Sequence, residues 1–198
     1  MKKIRKKGKK NLLVAGLVFL VVVGVGYAAF ADRAEILGTS VSVGSADIKF
    51  LEDLSGGVGE ENLADSKSGP NFENIYEGWV YDYPIKIFNN GTSELILTSN
   101  ADYETANDPE SLRSDLMVEP FVWDDTNGDG VVDTGELGAS LTQKTIIKWK
   151  TEGFELGNLS TGGVAGFVLR FSAPSISESK QGASAVFDFL FDAAELVE

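Results

Sequence analysis

The sequence predicts an all-β protein, a jelly-roll-like β-sandwich that follows an amino-terminal signal helix. Three observations carry that reading. Runs of β-branched and aromatic residues recur along the chain, the strongest being Trp79-Val80-Tyr81-Asp82-Tyr83-Pro84-Ile85-Lys86-Ile87-Phe88, the composition of half-buried strands. Stretches rich in Gly, Ser and Asn separate these runs, as at 55–70 and 172–184, and such residues punctuate chains at turns. Pro84 and Pro120 lie inside two of the runs, where proline is incompatible with a helix interior but tolerated at a strand edge or bulge. About eight strands with turns between them fit a sandwich or jelly roll better than a helical or α/β fold.

The elements follow in chain order. Lys2, Lys3, Arg5, Lys6, Lys7, Lys9 and Lys10 precede an uncharged run, Leu12 to Ala31. A basic block, an apolar core and small residues in sequence make a secretory signal. Two cuts are open, after Ala28 or after Ala31. About 20 apolar residues also suffice to span a bilayer, but Gly24, Gly26 and the clustered alanines favour a processed signal. The chain therefore divides into a signal peptide at 1–28, an extended segment at 29–43 and a sandwich domain at 44–198.

Within that domain, Ser40-Val41-Ser42-Val43 and Ile48-Lys49-Phe50 alternate as strands do. After the strand at 79–88, Asn89-Asn90-Gly91-Thr92 predicts a tight hairpin turn into Leu95-Ile96-Leu97-Thr98. The stretch 101–113 reads as a loop with one short helix from Pro109. Leu116 to Trp123, Thr145 to Trp149, Val164 to Phe171 and Ala185 to Phe191 read as further strands. Asn90 and Asn158 fit the glycosylation acceptor pattern, which recurs by chance and is read here as two ordinary turn residues. Trp79, Tyr81, Tyr83, Phe88, Trp123 and Trp149 read as sandwich core before they read as a sugar-binding face.

Charge and composition exclude several functions. The signal region holds seven of the 17 Lys and Arg and none of the 30 Asp and Glu, so the remainder has ten basic against 30 acidic residues, a net of −20. Such a surface does not bind nucleic acid through its phosphates, and the membrane is met only through the signal segment before cleavage. Cysteine and histidine are absent. There is thus no disulfide framework, no histidine-dependent nucleophile and no histidine-ligated zinc. No catalytic constellation stands out, and the chain does not read as an enzyme.

The most specific chemistry lies between the strands at 116–123 and 145–149. Residues 125–136 read D-T-N-G-D-G-V-V-D-T-G-E. Asp125, Asn127, Asp129, Asp133 and Glu136 place side-chain oxygens at loop positions 1, 3, 5, 9 and 12, with Gly130 at 6 and the Val131 carbonyl at 7. That spacing is the EF-hand-type calcium loop, which surrounds a hard cation with oxygens and uses glycine for its sharp turn. The flanks are strand-like and offer no helix pair, so a structural ion stiffening a strand-to-strand excursion is expected, not a sensor. Calcium is the expected cofactor. With Glu136 in a solvated loop and the carboxylates repelling one another, the cation-free loop is expected to be disordered.

Several segments resemble the TasA/camelysin family. Gly26-Tyr27-Ala28-Ala29-Phe30-Ala31-Asp32 is similar to the family's signal junction, and Leu37 to Ile48 to its segment before the first strand. Ile85 to Thr92 resembles its strand-and-turn motif, Phe121 to Gly130 its acidic insertion, and Phe187 to Ala194 its last strand. The resemblance implies a jelly-roll subunit, exported through a dedicated signal peptidase, that polymerises into extracellular fibres by donating its amino-terminal strand. Some relatives are described as metallopeptidases, a label the absence of histidine disfavours here. The expected function is a secreted, fibre-forming structural subunit at the cell surface or beyond it, whose main partner is a second copy of itself. The alternatives are a monomeric calcium-stabilised adhesin or carbohydrate-binding module and, less favoured, a peptidase.

Overall fold

Twelve strands and one α-helix form among the residues described by the computed structural model, which are 31–36 (as backbone), 46–70, 72, 75–180 and 182–196. The signal segment and the expected strand at 40–43 lie outside them. The strands are β1 (Ala31–Ile36), β2 (Ile48–Leu51), β3 (Leu63–Ala64), β4 (Ser66–Lys67), β5 (Trp79–Asn89), β6 (Leu95–Asp102), β7 (Met117–Trp123), β8 (Leu137–Ser140), β9 (Lys144–Thr145), β10 (Phe154–Leu159), β11 (Val164–Ala173) and β12 (Asp188–Glu195), and the helix is α1 (Ile146–Glu152). One sheet has the order β10-β6-β12-β1-β4, the other β3-β2-β5-β11-β7-β8 with β9 also on β7. All pairs are antiparallel except β1 with β4. The all-β expectation holds, as an antiparallel sandwich.

Period-2 alternation explains how the sheets meet. In β6, Leu95, Leu97, Ser99 and Ala101 are buried while their neighbours are less so, because successive strand residues point to opposite faces. Phe189, Phe191 and Ala193 face inward from β12, and Ile85, Ile87, Phe167, Leu169 and Phe171 from β5 and β11. Aromatic pairs lock the two faces together, with Phe50 edge-on to Phe191 at 5.4 Å and Phe171 against Phe189 at 5.2 Å. Each such side chain contributes roughly 1.5–3 kcal/mol on leaving water.

Both prolines sit where a ladder can spare a donor. β5 pairs with β11 along Trp79–Phe88, but β2 reaches only Ile87–Asn89, so Pro84 faces no second strand on that side. Pro120 lies between the stretch of β7 that pairs with β9 and the stretch that pairs with β8. Its carbonyl still accepts the Leu141 N–H at 2.8 Å.

Four sequence expectations need correction. The run Thr145–Trp149 is not a strand beyond Thr145, because Ile146–Glu152 is helical. The Thr145 side chain accepts the Lys148 N–H at 3.1 Å, an N-cap, and Gly153 (φ +65°) ends the helix. Ile146 and Trp149, three apart and therefore on one helical face, are both fully buried.

Asn89–Thr92 makes no hairpin either. β5 and β6 belong to different sheets, so the turn carries the chain across the sandwich. Asn89 is completely buried. Its Nδ2 donates to the carbonyls of Ser93 (2.8 Å) and Leu159 (3.1 Å), and its Oδ1 accepts the Gly91 N–H (2.9 Å). Those bonds satisfy a corner that has no ladder to satisfy it.

The last strand begins at Asp188, not Ala185, and continues to Glu195, since its inward residues run on through Phe191 to Ala193. Finally β10, a regular strand paired with β6, was not expected. Its glycine and two polar residues, FELGNL, dilute the apolar signal.

Candidate functional site

The loop from Asp125 to Glu136 joins β7 to β8, which pair antiparallel, so the strand-to-strand expectation holds. It lies over the outer face of the larger sheet. There the register aligns Lys86 of β5, Gly166 of β11 and Trp123 of β7 in one row. A side chain on Gly166 would place its Cβ 2.5 Å from the Trp123 carbonyl and 3.3 Å from its ring. Glycine there lets the indole lie over β11, and the Lys86 ammonium sits 5.0 Å from the ring centroid, a cation–π contact.

The six candidate residues fall into three groups. Asp125, whose side chain is only 2% exposed, pairs with Lys86 Nζ at 2.7 Å. Its two oxygens also accept the N–H groups of Gly128 and Gly130, each at 2.9 Å. Asn127, Asp129 and Asp133 meet one another, because Asn127 Nδ2 is 3.0 Å from a carboxylate oxygen of each acid. Val131 is exposed, and its N–H donates to Asp129 Oδ1 at 2.8 Å.

Glu136 is a correction to the sequence reading, being buried at 6% exposure and not solvated. Its Oε2 accepts the Trp123 indole N–H (3.2 Å) and the Asp133 N–H (3.1 Å), while Oε1 accepts from the Thr126 N–H and hydroxyl. Among the described residues, no three acids converge as a ready metal cluster. The loop is nonetheless ordered by its own N–H donors and by Lys86, which corrects the expectation that carboxylate repulsion alone governs it.

Gly130 takes the role assigned to it from spacing. Its φ is +74°, and a Cβ there would strike the backbone of Ser55 and Leu54 at 2.6 and 2.8 Å. The loop is therefore docked against the Leu54–Ser55 turn. Lys86 fastens the same contact, since its Nζ also donates to the Leu54 carbonyl at 2.6 Å. The hydrogen bond from Lys86, then the N–H of Gly130, hold the Asp125 carboxyl below the usual carboxylate range. The Trp123 indole, then the Asp133 N–H, do the same for Glu136. Both are ionised at neutral pH, the state a cation site requires.

The donor set suits a hard cation, since every donor is oxygen and carboxylates dominate. Three partners escaped sequence reasoning. Trp123 and Thr126 adjoin the loop, and an aromatic N–H next to an acidic run was a usable signal. Lys86 lies 39 residues away in the middle of a strand, and nothing local marks it.

Elsewhere the expected sites separate. Trp123, Trp149 and Phe88 are buried, Trp79 and Tyr83 half-buried, and Tyr81 is 40% exposed, so the six aromatics share no open face. Asn90 is exposed and donates to Asp47, and Asn158 is exposed on β10. A cavity of 250 Å³ bordered by Pro70, Phe72, Val186, Phe187 and Phe189 has an apolar lining. No family model, no curated protein and no solved structure matches the chain.

Proposed function

We propose that this chain is a secreted structural subunit that polymerises into extracellular fibres by exchanging its amino-terminal strand, with calcium stabilising the Asp125–Glu136 loop. The observation that carries the proposal is β1. Its six residues pair with β12 from Ala31↔Ala194 to Ile36↔Phe189, and it also borders β4. This strand comes directly after the basic and apolar leader, and either cut leaves Asp32–Ile36 at the new terminus. A terminal strand that completes a sheet can be replaced by the same strand from a second copy, with main-chain hydrogen bonds supplying affinity. Each such contact is head-to-tail and need not close, so a filament results. The resemblance to the TasA/camelysin family supports the same reading. The chain also passes repeatedly between the sheets, as at β5–β6, β6–β7 and β10–β11–β12, which supports a jelly roll.

The test is the state of the mature chain, residues 29–198 with calcium present. Filaments in negative stain and a rise in scattered light are expected, and both should vanish when 29–36 are removed. A mature chain that remains monomeric refutes the proposal. A monomeric adhesin is the second reading, favoured by Trp79 and Tyr81, which stack 6.1 Å apart and within 7° of parallel on the open half of β5. Sugar binding by the monomer on a glycan array would favour it.

The calcium part has its own test. A ligand that binds only the folded state at a hundredfold excess over Kd adds about 2.7 kcal/mol. For a domain of this size that raises Tm by roughly 5–10 °C. Glu136→Gln is not a clean probe, because it turns an amide N–H toward the indole and backbone donors now facing the carboxylate. Asp129→Asn is cleaner, since Asp129 is exposed and an amide oxygen keeps the Val131 bond. The variant should melt like wild type in EDTA and gain less from calcium. Equal gains in both proteins, or none in wild type, would remove calcium from the proposal.

A further inference from the structure

Lys86 has three partners that no local pattern joins. Its ammonium donates to Asp125 Oδ2 at 2.7 Å and to the Leu54 carbonyl at 2.6 Å, and it lies over the Trp123 ring. Its side chain is 14% exposed and that of Asp125 is 2% exposed, so solvent screens their attraction weakly. Asp125 is the residue at the first position of the proposed calcium loop, where the carboxylate contacts the cation directly. A lysine ammonium thus holds the oxygen that a divalent cation needs.

We propose that Lys86 is a resident competitor that sets the affinity of this loop for calcium. The inference rests on the calcium reading above and names the residue that tunes it. Calcium at the loop faces two costs from Lys86. Asp125 must be withdrawn from the ammonium or shared with it, and a fixed positive charge stays beside the ion. Two charges within about 4–6 Å interact by several kcal/mol at the effective dielectric of a protein surface. Even after relaxation and screening, neutralising Lys86 should tighten calcium binding on the order of tenfold.

The same contact has a second consequence. Lys86 and the close approach of Gly130 tie the loop to the Leu54–Ser55 turn. That turn is held from its other side by Lys67, whose Nζ donates to the carbonyls of Leu51 and Glu52 at 2.9 and 2.8 Å. In the cation-free protein Lys86 is therefore the positive charge that holds the loop to the body. It keeps the site formed while weakening it, a combination suited to calcium at high external concentration.

Calorimetric titration of the mature chain with calcium chloride tests this, using wild type, Lys86→Met, Lys86→Gln and Lys86→Arg. Methionine keeps the stem over Trp123 without the charge. Glutamine keeps an N–H for the Leu54 carbonyl, which covers the case in which the methionine variant fails to fold. Arginine restores the charge. The expected result is a Kd roughly tenfold lower in the folded neutral variants and near wild type in Lys86→Arg. Unchanged or weaker binding in the neutral variants, with wild type still binding, overturns the role of Lys86 and leaves the calcium reading intact. Absence of binding in every variant and in wild type refutes the calcium reading itself.

Discussion

Trp149→Ala should lower stability by about 3–5 kcal/mol, the range for deleting a large aromatic side chain from a core. Trp149 has no solvent exposure. Its ring stacks on Phe189 at 4.8 Å and within 10° of parallel, meets Phe154 at 5.6 Å and lies 6.4 Å from Phe171. It therefore brings one helical residue against side chains from both sheets. With 2–4 °C lost per kcal/mol in a domain of this length, the melting temperature should fall by roughly 6–20 °C. Trp149→Phe is the control. The indole N–H finds no acceptor among the described residues, so phenylalanine removes an unsatisfied group along with some packing and should cost less than half as much. A thermal melt in which alanine and phenylalanine behave alike would show that α1 does not brace the core.

Asn89→Ala should cost about 3 kcal/mol. The substitution removes the two Nδ2 bonds to Ser93 and Leu159 and the Oδ1 bond to Gly91. Leaving buried polar partners unsatisfied costs about 1–3 kcal/mol per group. Asn89→Asp should be no better, because a carboxylate would face two carbonyl oxygens where the amide N–H groups now point. Asn90→Ala provides the comparison, since its neighbour is exposed and should shift the denaturation midpoint little. A midpoint for Asn89→Ala close to that of Asn90→Ala would mean that the corner is held by backbone bonds alone. Two such bonds exist, Asn89 N–H to Gly163 at 3.0 Å and Gly162 N–H to the Asn89 carbonyl at 3.1 Å.

These residues also mark where the sequence was legible and where it was not. Strands β5, β7 and β11 are readable because their β-branched and aromatic runs are long, and the two prolines sit where the sheet leaves them free. Thr145-Ile146-Ile147-Lys148-Trp149 misleads because isoleucine and tryptophan favour strands, while the deciding features are a threonine cap and a slot for Trp149 between the sheets. Asn-Asn-Gly-Thr has the composition of a hairpin, yet the buried amide of Asn89 serves a crossing instead. Period and turn chemistry are local, but the choice of sheet partner is not. The loop was legible in the same partial sense. Its glycine and its acids lie where spacing placed them, whereas the burial of Glu136 and the reach of Lys86 depend on neighbours brought in by the sheet.

The pairing of β1 with β12 has a consequence for how the molecule is made. Synthesis produces Ala31 near the start and its partner Ala194 near the end, so this sheet has the longest sequence separation the chain permits. Contacts of that kind form late, because loop closure must precede them. Until then the segment Ala31–Ile36 waits without its ladder, and the flank of β12 is open once it emerges. Another chain at the same stage presents an identical segment to that flank. The choice between closing on itself and joining a neighbour is therefore a race, governed by local concentration at the moment the last strand appears and not by the strength of the finished pairing alone.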